Sequence, residues 1–151
     1  MVVSPDVGSV ARARDFAHRL GTGLAIVDKR RPKANVSEIM NVIGEVKDKN
    51  VLLADDMIDT AGTITNAANA LKKMGAKHVY ACCTHPVLSG PAMQRIKDSA
   101  IDELVVLNTI ELPEGKLLPN MKVLSVAPLL AEAIRRVAGN EPLSGLYEYH
   151  K

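Results

Sequence analysis

Nine residues, Asp55-Asp56-Met57-Ile58-Asp59-Thr60-Ala61-Gly62-Thr63, combine side chains suited to a sugar with a turn suited to a phosphate. An ionised carboxylate only accepts hydrogen bonds, so Asp55 and Asp56 suit neutral hydroxyls and can bracket a vicinal diol. The turn from Asp59 to Thr63 is built of small residues, with Gly62 able to take positive φ and two hydroxyls ahead of an expected helix. A helix N-terminus carries about half a positive charge and several unpaired N–H donors, so a phosphate docks there without any Lys or Arg. Phosphate donors beside diol acceptors describe ribose 5-phosphate.

Three other readings compete. Asp-Asp-x-x-Asp also holds magnesium in isoprenoid diphosphate enzymes, but on the helices of all-helical folds, and this chain is rich in strand patterns. Receiver domains of response regulators pair two acids at a strand end and place the phosphate acceptor on a later strand, whereas residues 78–84 end without such an Asp. Solvated turn acids ahead of a helix capped by Thr63 would explain the acid pair alone, and the whole string much less readily.

The string needs a strand to deliver it and a helix to follow it. Val51-Leu52-Leu53-Ala54 is continuously apolar, as a strand covered on both faces would be, and it leads into Asp55. In open α/β sheets the carboxyl ends of strands are where ligands bind. Along the chain, short apolar runs alternate with helical patterns, which predicts strands near 1–4, 24–28, 51–55, 78–84, 103–107 and 121–125. Helices are expected over about 9–20, 63–74, 90–98 and 127–138. The expected fold is α/β, a mostly parallel twisted sheet with helices on both faces. Gly75 stands where a left-handed residue would stop the helix ending at Leu71-Lys72-Lys73-Met74. Residues 29–44, opening Lys29-Arg30-Arg31-Pro32-Lys33, have no sustained period and are expected as a long polar loop after a strand. Inserts of that length often serve as lids, although charge alone favours a solvated basic loop.

With 151 residues, 47% of them hydrophobic, the chain has material for one domain and one core. Only 3% of it is aromatic, so that core must be aliphatic. The 19 basic and 17 acidic residues leave a net charge of +2, too balanced to argue for a nucleic-acid or lipid surface. Cys82 and Cys83 have neither zinc-ligand spacing nor the form of a disulfide framework, and read as small buried residues of a reducing compartment. His18 and His85 are expected to be structural. No apolar run approaches the roughly 20 residues a membrane helix needs and no secretory pattern opens the sequence, so a cytoplasmic protein is expected. The strand pattern at Val2-Val3 begins so abruptly that a preceding half is expected as well.

Val-x-x-x-Asp-Asp-x-x-Asp-Thr-x-x-Thr, starting at Val51, resembles the phosphoribosyl pyrophosphate loop of the type I phosphoribosyltransferase fold. Val3-Ser4-Pro5-Asp6-Val7-Gly8, Ile26-Val27-Asp28-Lys29-Arg30-Arg31-Pro32 and Thr84-His85-Pro86-Val87-Leu88-Ser89-Gly90-Pro91 narrow the likeness. Together they resemble the C-terminal half of the ribose-phosphate pyrophosphokinase family, over nearly the whole chain. Members of that family transfer the diphosphoryl group of ATP to the 1-hydroxyl of ribose 5-phosphate, giving phosphoribosyl pyrophosphate and AMP.

The resemblance implies that Asp59, Thr60, Ala61, Gly62 and Thr63 hold the 5-phosphate, and that Asp55, with Asp56, holds ribose hydroxyls. Lys29 and Arg31 match the cationic pair of the family's mobile catalytic loop, Lys29 as catalytic residue and Arg31 also as a substrate contact. In an extended segment these two would project to one side. Asp6 matches a carboxylate for magnesium (Mg2+), whose other protein ligand in the family is a histidine of the first half. That half also brings the adenine-binding residues, so the chain alone is expected to bind ribose 5-phosphate and turn over poorly. Hexameric assembly from dimers is the family's habit. Ser9 stands where relatives usually have a second glycine, and Tyr147 replaces the Phe of their Ser-x-x-Phe tail, which puts regulation by ADP and phosphate in question. Two alternatives remain: an ordinary phosphoribosyltransferase, for which no segment resembles a base-recognition hood, and a non-catalytic associated subunit, in which loss of the cations or the acid loop would be expected.

Overall fold

The computed structural model describes residues 1–30, 39–112, 115 and 117–147. One sheet runs through them. Its strands are β1 (Val2–Ser4), β2 (Leu24–Arg30), β3 (Ile39–Ile43), β4 (Asn50–Ile58), β5 (His78–Pro86), β6 (Glu103–Leu107) and β7 (Met121–Leu124). Their order is β3-β2-β1-β4-β5-β6-β7, and every neighbouring pair is parallel except β2 with β3. The helices are α1 (Val10–Arg19), α2 (Gly62–Lys73), α3 (Ala92–Lys97) and α4 (Ala127–Ala138), and a 3-10 turn spans Ser144–Leu146.

The central strands are apolar because both their faces are covered. Successive residues of β1 serve opposite sides: Val3 belongs to the main core, while Val2 packs with Ala13 and Ala17 of α1. On the main-core side, α2 presents Ile64, Ala67, Ala68 and Leu71, spaced as one helical stripe, and α3 adds Ala92 and Ile96. Leu71 is fully buried, which contributes about 2 kcal/mol relative to an exposed side chain. The sequence-based expectation of an α/β sheet with helices on both faces therefore holds.

Helix α2 ends as the sequence suggested. Gly75 takes φ 90°, its amide donates to the Lys72 carbonyl, and the Ala76 amide donates to the Leu71 carbonyl. This is the paired closure in which a left-handed residue satisfies two carbonyls that would otherwise lack donors.

Two expectations need correction. Residues 29–44 are not one loop: β2 continues through Lys29 and Arg30, and Ile39–Ile43 forms β3 against it, pairing Val27 with Val42 and Lys29 with Met40. A short edge strand shows little alternation, and Val42, with Val46 just beyond the strand, anchors this one to the core. Residues 31–38 lie outside the described residues. The strand expected to end at Asp55 runs on to Ile58, so both Asp55 and Asp56 are strand residues rather than loop residues. Pairing with β5 extends it, with Asp55 opposite Cys83 and Met57 opposite His85.

Candidate functional site

At the carboxyl end of β4 lies a cleft of about 190 Å³, lined by Asp6, Asp55 and the segment Met57 to Ile64. It gathers three parts of the sequence: the loop after β1, the end of β4 and the start of α2. Asp59, Thr60, Ala61, Gly62 and Thr63 all line it. Asp56 is not among the lining residues; its side chain is 61% exposed, against 17% for Asp55.

The left-handed backbone expected of Gly62 belongs instead to Ala61, with φ 60°. An alanine there is strained by about 1–2 kcal/mol, and surrounding contacts hold it. Ala61 is buried, and its carbonyl accepts both the amide (3.1 Å) and the hydroxyl (2.7 Å) of Thr65. At Gly62 the constraint is space, not backbone conformation. A Cβ there would stand 3.3 Å from a terminal nitrogen of Arg95. No side chain caps α2, and Thr63 lies inside its first turn. The first-turn amides, which no intrahelical carbonyl can reach, are thus left to the cleft as anion donors.

Three residues missed by sequence reasoning hold this loop. Arg95 of α3 donates to the Thr60 carbonyl at 2.9 Å and brings a cation against the turn. The Ser89 hydroxyl donates to the Asp59 carboxylate, and the Ser89 amide donates to the Asp59 carbonyl at 3.1 Å. Arg12 of α1 forks across both acids, reaching Asp55 at 2.6 Å and Asp56 at 2.7 Å. Ser89 lay inside a quoted motif. Arg12 and Arg95 carried no local signal, because their partners are 43 and 35 residues away in sequence.

Desolvation is the leading influence on both carboxyls and raises both. It prevails at Asp55, whose pKa lies above the ordinary value even though Arg12 pulls the other way. At exposed Asp56, the hydrogen bond shared with Asp55 and the Arg12 charge outweigh it, and the pKa falls. Burial pushes the Cys83 thiol up to about 12 and also raises Cys82, so neither is a nucleophile at neutral pH. Cys83 is buried as expected, while Cys82 is only partly covered. His85 is exposed at the end of β5: the Thr109 hydroxyl gives its proton to the Thr84 carbonyl (2.7 Å) and so receives one from His85 Nδ1 (3.0 Å). His18 is exposed on α1.

Asp6 spends one carboxylate oxygen on the Ser9 amide, 2.8 Å away, at the start of α1. Among the described residues, no three His, Cys, Asp or Glu side chains gather to hold a metal. Magnesium is ordinarily held by one or two carboxylates together with waters and substrate phosphates, so the Asp6 carboxylate, which lines this cleft, fits such a partial shell. Lys29 sits on β2 by its backbone, but its side chain and all of Arg31 lie outside the described residues. No described helix is long and apolar enough to cross a membrane.

A ribose-phosphate pyrophosphokinase of Clostridium perfringens is 70% identical over 148 residues, which make up 98% of this chain and 46% of that protein. The chain spans about half the length of the curated relatives it matches. The crystal structure of phosphoribosylpyrophosphate synthetase from Mycobacterium smegmatis superimposes with a TM-score of 0.83 at 47% identity, covering 92% of this chain and 45% of that one. Orotate phosphoribosyltransferase from Aeropyrum pernix shares the fold alone, with a TM-score of 0.57 at 17% identity over 89% of this chain and 64% of its own. The family model for the phosphoribosyl synthetase-associated domain matches residues 31–148, and the chain belongs to that family.

Proposed function

We propose that this chain is the ribose 5-phosphate half of a ribose-phosphate diphosphokinase, the C-terminal part of a two-domain enzyme. The observation that carries the reading is one cleft shared by the Asp55 carboxylate and the uncapped start of α2. Acceptors for hydroxyls thus lie beside donors for a phosphate. High identity to named pyrophosphokinases supports it.

In this reading the 5-phosphate rests on the amides following Thr60, and Asp55 and Asp56 accept from the ribose hydroxyls. The 1-hydroxyl oxygen attacks the β-phosphorus of ATP, and the bond from that phosphorus to the α–β bridging oxygen breaks. AMP leaves with that oxygen, and the hydroxyl proton passes to water. Lys29 and Arg31 brace the charge that develops on the phosphoryl oxygens. A magnesium ion held in part by Asp6 would supply shielding of the triphosphate. ATP as co-substrate, hexameric assembly and a cytoplasmic location belong to the same reading.

The test has two arms. Calorimetric titration of the purified 151-residue chain with ribose 5-phosphate should show saturable binding, while incubation with ATP, magnesium and ribose 5-phosphate should release little AMP. Absence of binding refutes the sugar site, and robust AMP release refutes the half-enzyme assignment. In the two-domain enzyme, Lys29→Ala should lower kcat by about 100-fold or more. Unchanged activity would remove Lys29 from catalysis.

A further inference from the structure

We propose that Arg12 is the positioning residue of the sugar site: it clamps Asp55 and Asp56 into one hydroxyl-accepting unit. The inference rests on the functional reading above and adds a residue to it.

Neighbouring residues of a strand point to opposite faces, so two adjacent acids on β4 would ordinarily diverge. Here one guanidinium holds both. Arg12 Nη1 donates to Asp55 Oδ1 at 2.6 Å, and Nη2 donates to Asp56 Oδ2 at 2.7 Å. The Asp56 amide fills Asp55 Oδ1 further at 3.0 Å. Asp55 Oδ2 and Asp56 Oδ1 take no part in this clamp, and these are the oxygens a diol would use.

The planar fork of arginine suits this task, because two rigidly spaced donors fix the separation and tilt of the two carboxylates together. Arg12 is itself well placed. The next residue, Ala13, is fully buried and, with Ala17, fastens α1 to Val2 and Leu24. Without the guanidinium, two adjacent carboxylates would repel each other, and the more buried would favour its neutral form, which donates a proton where the sugar needs an acceptor. The Arg12 charge opposes this at both acids.

The experiment compares ribose 5-phosphate with 2-deoxyribose 5-phosphate, which keeps the phosphate and lacks one hydroxyl of the diol. Calorimetry is run on the wild-type chain, Arg12→Met and Arg12→Lys. The wild type should prefer ribose 5-phosphate. Arg12→Met should weaken ribose 5-phosphate by about 10- to 100-fold, weaken the deoxy sugar much less, and erase the preference. Arg12→Lys, a cation without a fork, should recover only part of it. If both ligands weaken equally with the preference intact, Arg12 is merely structural and the inference fails. If Arg12→Met binds both as the wild type does, the inference alone fails. A wild type that binds neither sugar overturns the functional reading, and this inference with it.

Discussion

Helices α2 and α4 are each twelve residues long, and each carries an apolar stripe, yet they stand in opposite circumstances. Helix α2 buries Ile64, Thr65, Ala67, Ala68 and Leu71 against the sheet. Helix α4 buries nothing: Leu129, Leu130, Ile134 and Val137 are each more than half exposed. An amphipathic pattern states that a helix prefers apolar surroundings on one side; it does not state that the same chain provides them. The strands repeat the contrast. β4 lies between two parallel partners, whereas β7 is an edge with only Met121 buried. The cleft forms at the start of the helix that is anchored along its length, where the strained Ala61 can be held in place.

Core substitutions should sharpen that contrast most. Leu71→Ala on α2 removes a fully buried side chain and should cost about 2–5 kcal/mol. Ile134→Ala on α4 should change stability by no more than about 0.5 kcal/mol in this chain. Urea-melting midpoints read both, and equal losses would break the comparison.

A smaller effect is expected at the loop. Arg95→Met removes the donor to the Thr60 carbonyl and a cation from the turn. Affinity for ribose 5-phosphate should fall by about 10-fold, with α4 unaffected. Because Arg95 braces the turn proposed to hold the phosphate, ribose and deoxyribose 5-phosphates should weaken together. Loss of discrimination between them, as expected for Arg12→Met, would mean that the two arginines do not divide the site.

The smallest effect belongs to α4. Its Glu132 pairs with Arg135 and Arg136, and Arg135 also pairs with Glu141 beyond the helix end. Hydrogen bonds from Arg135 and Arg136 hold the Glu132 carboxyl down to about 2. A depressed folded pKa stabilises above the unfolded value of 4.5 and loses that stabilisation as pH falls through about 2. Glu132→Gln should therefore abolish a small acid-dependent loss of helicity in that window, seen by circular dichroism. These groups sit at the surface, half-buried to exposed, so the change should be slight.

Much of the architecture was legible because β4, β5 and α2 are locally consistent. Their apolar runs, helical stripe and Gly75 stop agree with the fold they enter. The extension of β4 through Asp55 and Asp56 was not legible, since adjacent acids read as loop while the pairing that extends the strand comes from β5. β3 escaped notice as a short edge strand. At the site, the acids and the small-residue turn were visible, but the left-handed residue was expected at Gly62 and lies at Ala61. The arginine partners could not be read locally, because tertiary packing alone brings α1 and α3 to that edge.

The most direct test follows backbone amide resonances of the labelled chain during titration with ribose 5-phosphate. The largest saturable shifts should fall on Thr60 to Ile64, with smaller ones at Asp55 and Asp56, while the amides of α4 stay still. Shifts centred on the separate cleft between α2 and α3, around Asn66, Asn69 and Gln94, or on α4, would contradict a sugar-phosphate site at the end of β4.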